Sequence, residues 1–355
     1  MYQYFYDLTG NTILATLIVA VFPLVNVLIV ALIGVYLERK VSAWIQDRVG
    51  PNRTGPFGLF QTVADFVKML QKEDATAKDI DSKLYNIAPV LVFTGSFAAY
   101  AAIPFSSKLI GSEAEVGLFY VIAISSLVVG GILMAGWSSN NKYSLLGAMR
   151  SAAQIISYEI PTAIIVLSIV MLTGTLSLDK ISNMQTAYFW NWNIFGGAEF
   201  GITKFLLIPF MVVGFIIIFI STLAEVNRTP FDIPEAESEL VAGYFTEYCG
   251  MKWAMFMLSE YGNMFAVSAI VSILFFGGYH SPIGYLGNTL GIEWLIPFEQ
   301  AFWFLAKGWL FILIQMWLRW TLPRLRVDQL MSLCWKYLIP YAFVNLIIIG
   351  VISLL

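Results

Sequence analysis

The feature that most constrains the fold is a series of eight apolar runs, each long enough to cross a lipid bilayer as a helix. They lie near residues 13–36, 84–104, 116–136, 153–173, 203–224, 253–277, 298–318 and 335–355. A bilayer core of about 30 Å requires roughly 20 apolar residues in a helix. Only 12% of the 355 residues are charged, against about 25% in soluble domains. These runs predict an all-α polytopic membrane protein with a single membrane domain over residues 1–355.

Basic residues are distributed unevenly between the segments that join the runs. The odd-numbered segments, near residues 37–83, 137–152, 225–252 and 319–336, hold 16 of the 20 lysines and arginines. Because positive residues are retained on the cytoplasmic side, these segments are predicted to be cytoplasmic loops, with both termini on the outer (periplasmic) side. The opening residues lack a basic region and a cleavage site, so the first run is predicted to be a retained helix.

Several function classes are disfavoured by what the sequence lacks. Cys249 and Cys334 lie far apart, and the single histidine is His280. This set is too small for an iron–sulfur or zinc site, and His280 is predicted to be a surface residue on the outer side. No GxGxxG or P-loop motif opens a helix, which argues against nucleotide binding. The net charge of −3 gives no basis for nucleic-acid binding.

An acidic segment follows the fifth run, where 23 residues contain six acids and one internal basic residue, Arg228. The acids are Glu225, Asp232, Glu235, Glu237, Glu239 and Glu247. Asp232 as an N-cap, with Pro234 in the first turn, predicts a helix start that accounts for Asp232 and Glu235. Glu235 and Glu239 share a helix face and repel each other. Crowded carboxylates raise one another's pKa and titrate as a coupled set, which favours a proton-handling site over a solvated acidic surface.

Charged residues also occur inside the apolar runs. Glu159 lies nine residues beyond Arg150, which places it roughly 13 Å deeper in a helix. An unpaired carboxylate at that depth costs on the order of 3 kcal/mol. Pro161 is predicted to kink the same helix and to free a backbone carbonyl. With Glu260 in the sixth run and Lys307 in the seventh, these groups indicate an ion or proton path, and a purely structural buried ion pair is the alternative.

The first loop contains turn residues and then an amphipathic helix. Residues 50–56 read GPNRTGP, which is turn chemistry. Afterwards apolar residues recur at helical spacing, opposite polar ones: Leu59, Phe60, Val63, Phe66, Val67 and Leu70 against Gln61, Asp65, Lys68 and Lys72. Such a helix lies in the membrane surface or against the bundle. Two roles are open, a simple interfacial anchor and a wall for an amphiphilic ligand that enters from the lipid.

Long motifs occur in order along nearly the whole chain. They are ERKV at 38–41, GPNRTGPFG at 50–58, the helical segment 64–74, AQIISYEIP at 153–161, AEVNRTPFD at 224–232 with its continuation to 239, and PRLRVDQL at 323–330. These motifs resemble the family of the H subunit, also called subunit 1, of respiratory complex I, the proton-pumping NADH–quinone oxidoreductase. The segments near 177–201 and 279–297 carry no usable resemblance.

The resemblance implies an eight-helix subunit that joins the hydrophilic redox arm to the pumping arm and forms most of the membrane-side quinone tunnel. The tunnel or chamber would be lined by Glu38, Arg39, Arg48, Asp65, Lys68, Arg228, Asp232, Glu235, Glu237 and Glu239. The proton path would comprise Glu225, Tyr158, Glu159 and Glu260, to which the intramembrane position of Lys307 adds that residue. No catalytic or metal-binding residue is expected in this chain alone.

The same resemblance implies the partners, the substrate and the location. This chain would bind no redox cofactor, with FMN and the iron–sulfur clusters held by partner subunits and quinone (ubiquinone or menaquinone) as the substrate. Its partners would be the hydrophilic quinone-site and iron–sulfur subunits, small membrane subunits and antiporter-like subunits, in a bacterial inner membrane rather than an organelle. Charge on the reduced quinone would shift carboxylate pKa values in the acidic loop and move protons along Glu225 and Glu159.

Two other classes compete with this hypothesis. A transporter that acts alone would also carry intramembrane charges, but such folds often show inverted repeats and paired broken helices, and neither is found. The related membrane component of energy-converting hydrogenases shares the Pro-Phe-Asp turn at 230–232 but generally lacks the continuation PEAESELVAGY seen at 234–244.

Overall fold

The computed structural model describes residues 10–197, 202–234, 237–287 and 291–354, and within these ranges its regular elements are all helical. The helices are α1 (Thr12–Ile45), α2 (Gln61–Gln71), α3 (Ser82–Ala99), α4 (Gly117–Ser138), α5 (Lys142–Thr173), α6 (Leu178–Met184), α7 (Ile202–Glu225), α8 (Glu237–Leu240), α9 (Gly250–Phe275), α10 (Ile296–Thr321) and α11 (Val327–Ser353). Within α11, Cys334–Leu338 forms a π-helical turn.

The predicted class, an all-α polytopic membrane protein, is confirmed. Among the described residues, α4, α5, α7, α9, α10 and α11 are long and apolar enough to cross a membrane. Helices α1 and α3 cover the two remaining apolar runs. The count of eight spans and the outer position of both termini remain predictions from the charge distribution.

Local sequence explains where α5 begins and how it tolerates a proline. Asn141 caps the helix, since its side chain accepts a hydrogen bond from the Tyr143 amide at 3.0 Å. The helix therefore begins well before the apolar run at 153–173 and carries polar residues beyond it. Inside it, Pro161 cannot donate to the Ser157 carbonyl. The Cys334 thiol, on α11, donates to that carbonyl at 3.1 Å instead.

Helix α9 is the centre of the bundle, packing against α1, α3, α7 and α10, while α11 packs against α5 and α7. The long helices alternate in direction, so the segments 46–81, 139–141, 226–249 and 322–326 share one end, termed the inner end after the predicted orientation. Side-chain bonds join these segments, such as Asn141 to Glu247 and Arg150 to Glu239. The segments 100–116, 174–197 and 276–287 form the outer end.

Candidate functional site

A buried group of charges forms at the inner end, where α1, α9, α10 and the segment after α7 converge. It consists of Glu38, Arg228, Glu260, Tyr261 and Arg319, and is termed the inner charge cluster. The side chains of Arg228, Glu38 and Glu260 are only 3%, 10% and 14% exposed. Burying an unpaired charge to that extent costs free energy of folding. The stability of the fold therefore depends on how these charges are paired.

The turn after α7 directs Arg228 into the bundle. Asn227 adopts a left-handed conformation with φ 53°, which ends the helix. The Gln154 side-chain amide, on α5, donates to the Asn227 side chain at 3.1 Å and to the carbonyls of Ala224 and Phe231 at 2.8 Å each. One buried glutamine thus fixes both sides of the turn that carries Arg228.

Arg228 lies between two carboxylates from different helices. Its Nη1 is 3.2 Å from Glu38 Oε2, and its Nε is 3.0 Å from Glu260 Oε1. The guanidinium carbon lies 4.7 Å from the centre of the Tyr261 ring, within the range of a cation–π contact. The Tyr261 hydroxyl donates to Glu38 Oε2 at 2.6 Å, and Arg319 forms a second ion pair with Glu38.

A further ion pair lies next to this cluster. The carboxylate of Asp232 bonds Arg324 Nη2 at 2.9 Å, which ties the acidic loop to the segment after α10. The prediction that Asp232 caps a helix was wrong, because residue 233 is not helical and the described helix begins at Glu237. Its carboxylate is bound to an arginine and is 11% exposed.

A cavity of about 490 Å³ adjoins the inner charge cluster. It is lined by Ala31, Leu32, Val35, Glu38, Arg39, Ser42 and Arg48 from α1 and the segment after it, by Thr62, Asp65, Phe66, Lys68 and Met69 from α2, by Trp253, Ala254, Met257, Leu258 and Tyr261 from α9, and by Trp320 from α10. Along α1 the lining changes from apolar residues within the bundle to charged residues at the inner end. This order suits an amphiphile whose polar group lies near Glu38.

The amphipathic helix α2 forms one wall of this cavity. Its apolar residues Val63, Val67 and Leu70 are exposed on the opposite side, as expected where a helix meets lipid. Arg39 Nη1 binds Asp65 Oδ2 at 2.6 Å, which joins α1 to α2. Both roles left open by the sequence, a surface anchor and a ligand wall, are therefore compatible with one helix.

Two smaller cavities lead from the inner charge cluster into the bundle. The first, of about 30 Å³, is lined by Glu260, Ser259, Asn227 and Glu225 among others. The second, of about 90 Å³, is lined by Glu225, Thr162, Ser125 and Glu159 among others. The residues at the junction that line both include Glu225, Val226 and Asn263. Three acids predicted for the proton path thus border adjoining cavities in the order Glu260, Glu225, Glu159.

Glu225 and Glu159, the two acids of this series that lie farther from Arg228, have hydroxyl groups rather than cations as partners. Glu225 Oε1 accepts a hydrogen bond from Thr162 at 2.7 Å. Glu159 Oε1 accepts from Ser125 at 3.2 Å and from Ser126 at 3.4 Å. Neither carboxylate is in an ion pair found among the described residues. Hydroxyls can donate to a carboxylate and accept from a carboxylic acid, so the site suits either protonation state.

The remaining loop acids whose side chains the structure describes lie outside the cluster. Glu239 pairs with Arg150 at 2.7 Å and is 60% exposed, and Glu247 accepts from Asn141 at 2.7 Å. Glu235 lies outside the described residues, and Glu237 lies in α8. Where the acids are described, they have separate partners, so the carboxylates brought together around Arg228 come from two helices rather than from the loop alone.

Two other predicted path residues have partners outside these cavities. The Tyr158 hydroxyl donates to the Leu330 carbonyl at 3.0 Å, which joins α5 to α11. Lys307 Nζ donates to the carbonyls of Phe276, Gly278 and His280 at 2.7, 2.9 and 2.6 Å. Neither residue lines the three cavities described above, and Lys307 lies at the outer end.

The prediction that His280 is a surface residue was wrong. His280 is only 9% exposed, and its Nδ1 contacts the hydroxyl of Tyr285. Burial and the nearby Lys307 ammonium lower the pKa of His280 to about 4. The ring is covered because the segment after α9 folds back over the bundle, which helical periodicity does not reveal.

Sequence reasoning missed several residues that build the site. Arg319 entered only through the count of positive charges that orients the chain, and Arg324 only through that count and the motif at 323–330, although both bind carboxylates. Gln154 and Asn263 are polar residues within apolar helices, and that contrast was the available signal. Tyr261 was not predicted as a site residue, because its bond to Glu38 spans 223 residues of sequence.

Comparisons with known proteins identify the family of this chain. A sequence profile described as NADH dehydrogenase matches residues 17–350. The NADH-quinone oxidoreductase H subunit of Chlorobium luteolum is 51% identical over 347 residues, which cover 95% of this chain and 89% of the relative. The protein of the same name from Chlorobaculum parvum is 52% identical over 342 residues, covering 95% and 92%. A more distant relative, the second H subunit of Cytophaga hutchinsonii, is 44% identical over 94% of this chain and 98% of its own length. With matches over nearly its whole length, the chain belongs to the NADH dehydrogenase family, in the group of the NADH-quinone oxidoreductase H subunits.

Proposed function

We propose that this chain is the membrane subunit of a proton-translocating NADH–quinone oxidoreductase, complex I, that admits quinone from the bilayer and couples its reduction to proton movement. The observation that carries the proposal is the cavity of about 490 Å³ that ends against the inner charge cluster. Its volume lies within the roughly 300–1,000 Å³ of small-molecule sites. Few soluble ligands suit a cavity with lipid-side apolar walls and charged residues at one end.

Quinone fits this gradient because it has a polar head and an apolar tail. The tail would lie along Leu32 and Val35 of α1, where α2 and α9 supply further apolar contacts. The head would lie toward the charged end, near Arg39 and Asp65. The loop acids Glu235, Glu237 and Glu239 are predicted residues of the chamber, which the hydrophilic partner would complete.

Reduction of the quinone requires electrons from outside this chain. A quinone takes up two electrons and two protons to give a quinol, and iron–sulfur clusters of partner subunits would supply the electrons. FMN would likewise belong to a partner. The role of this chain is electrostatic, because negative charge beside Glu38 weakens the hold of Arg228 and Arg319 on the existing carboxylates. Protonation of the cluster would then restore the balance.

The proton route would follow the cavities from Glu260 to Glu225 and then to Glu159. Each step is bordered by hydroxyl or amide groups that can hold water. The proposal does not extend to Tyr158 and Lys307, since their polar atoms bond backbone carbonyls. The proton movement along this route would be passed on to the antiporter-like partners. The complex would lie in the inner membrane of a bacterium.

The test uses the assembled complex, reconstituted in proteoliposomes. Glu159→Gln and Glu235→Gln should assemble normally yet lose most of the proton transport that accompanies quinone reduction. Glu113→Gln is the matched control, because Glu113 is an exposed acid of the outer end. Transport at the wild-type rate would remove Glu159 from the proton path, or Glu235 from the chamber residues that couple quinone reduction to it. Co-purification with a nickel–iron hydrogenase in place of flavoprotein and quinone-site subunits would overturn the assignment.

A further inference from the structure

One neutral polar residue lies at the junction of the two small cavities. Asn263, on α9, borders both of them, as do Glu225 and Val226. It lies one helical turn from Glu260, so the two side chains project from the same side of α9. Five described residues line both cavities; of the other four, Val128, Ile155 and Val226 are apolar, and Glu225 is itself a proposed proton carrier. Asn263 is therefore the neutral polar group at the point where the cavities meet.

Both cavities are large enough to hold water. Their volumes of about 30 and 90 Å³ exceed the roughly 10–15 Å³ that one water molecule requires on this measure. Water also needs two to four polar partners. The smaller cavity offers Glu260, Ser259 and Asn227 besides the junction residues. The larger cavity offers Ser125 and Thr162.

A side-chain amide suits this junction for a chemical reason. It donates through its nitrogen and accepts through its oxygen, and it carries no charge near neutral pH. It can therefore orient water toward a carboxylate on one side and toward a carboxylic acid on the other. A carboxylate at the same point would be a further proton acceptor, and an apolar side chain would remove one polar partner of the water between Glu260 and Glu225.

We infer that Asn263 is a positioning residue that holds a water connection between Glu260 and Glu225. The inference rests on the proposed function and makes that proton route specific to one residue. Asn263 does not border the cavity of about 490 Å³, so its replacement should slow turnover without changing the KM for quinone. A lower kcat with an unchanged KM distinguishes an effect on proton transfer from an effect on substrate binding.

The experiment compares two variants of nearly the same shape in the complete enzyme. Asn263→Thr retains an oxygen at the junction, whereas Asn263→Val removes it. Both place a β-branched residue in α9, so any packing effect is common to them. We expect the valine variant to lose at least about tenfold in kcat for coupled quinone reduction, with an unchanged KM, and the threonine variant to recover most of that loss.

Asn345→Leu is the matched control. Asn345 is a buried asparagine of α11 that borders neither small cavity, and its replacement should leave kcat unchanged. Equal rates for the valine and threonine variants would overturn the inference, because packing alone would then explain them. Glu225→Gln separates the two proposals: if it retains full coupling, the proton route itself is wrong, whereas a loss in Glu225→Gln with full activity in Asn263→Val rejects only Asn263.

A measurement on the wild-type enzyme keeps the inference testable if the valine variant fails to assemble. A high-resolution map of the intact complex should show water within hydrogen-bond distance of the Asn263 side chain in both cavities. A side chain that bonds only protein atoms, with no water on either side, would contradict the inference.

Discussion

The two ends of the molecule hold buried positive charges in different ways. At the inner end, Arg228 is paired with two carboxylates, from Glu38 and Glu260. At the outer end, Lys307 is surrounded by three backbone carbonyls, with the centre of the Trp192 ring 4.3 Å from its ammonium. Both charges lie inside the helical bundle, but only the inner partners can gain or lose protons.

The outer arrangement is a helix cap. Helix α9 ends at Phe275, and Gly277 follows with φ 72°. A Cβ atom at Gly277 would lie 2.3 Å from Trp192 Nε1, so both the conformation and the space require glycine. The Lys307 ammonium then binds carbonyls just past the helix, where the dipole favours positive charge. Its partners are fixed backbone groups whose charge does not change.

The inner arrangement has the features of a responsive site. Its partners are carboxylates, two arginines share Glu38, and cavities lie on both sides of the cluster. A change of charge in the large cavity can therefore redistribute these pairs. Burial of a charge does not by itself indicate a proton path, because the chemistry of its partners decides which role is available.

The largest effect should come from breaking the inner cluster. Arg228→Met leaves two buried carboxylates without their shared cation, which typically costs about 3–5 kcal/mol. The thermal unfolding temperature and the yield of assembled complex should both fall. Adding Glu260→Gln should restore part of the loss, because residue 260 is then neutral while Glu38 keeps its ion pair with Arg319.

The control for this experiment is Arg326→Met. Arg326 pairs with Asp328, and the two side chains are 74% and 68% exposed, so the change should cost within about 1 kcal/mol. Equal losses for Arg228→Met and Arg326→Met would mean that the inner cluster is solvated in the intact complex. The comparison between the two ends would then fail, because it assumes that the charges at the inner end are buried.

A smaller effect is expected at the outer end. Lys307→Met removes the donor from three carbonyls, and leaving such groups unpaired costs about 1–3 kcal/mol. The unfolding temperature should fall, but the number of protons transported per NADH oxidised should not change. Lys180→Met is the control, since Lys180 is an exposed lysine of the same end.

A loss of transport without a loss of stability would favour the prediction from sequence that Lys307 belongs to the proton path. If Lys307→Met remains as stable as wild type but loses proton transport, then Lys307 belongs to the proton path. The contrast between fixed and titratable partners would then not separate structural charges from functional ones. Measuring stability and transport on the same preparation is what distinguishes the two outcomes.

The sequence predicted the helices well because their signal is local. Apolar runs identified the class, and a helix forms over each run. Pro161 was expected to free a carbonyl, and the Ser157 carbonyl indeed has a donor from outside its helix. These features depend on residues close in sequence, where spacing and chemistry are sufficient.

Partners across the bundle could not be predicted from spacing. Glu38 meets residues 190, 223 and 281 positions away, namely Arg228, Tyr261 and Arg319. Helical periodicity tells which face a residue occupies but not which helix lies opposite it. The same limit explains Lys307, whose position suggested a proton path until the carbonyls after α9 were seen beside it.

The smallest effect at neutral pH, and the last test of the outer end, concerns His280. Its pKa is lowered to about 4, against about 6.5 in an unfolded chain. Between these values the unfolded chain binds more protons than the folded one, so stability falls as pH falls through this window. One pH unit below 6.5 the loss is about 1.4 kcal/mol. His280→Gln lacks the titrating ring, so the unfolding temperature of the variant should depend less steeply on pH below 6.5 than that of wild type. Parallel curves would mean that His280 takes up its proton over the same pH range in the folded and unfolded states, and the outer end would then hold a titratable group.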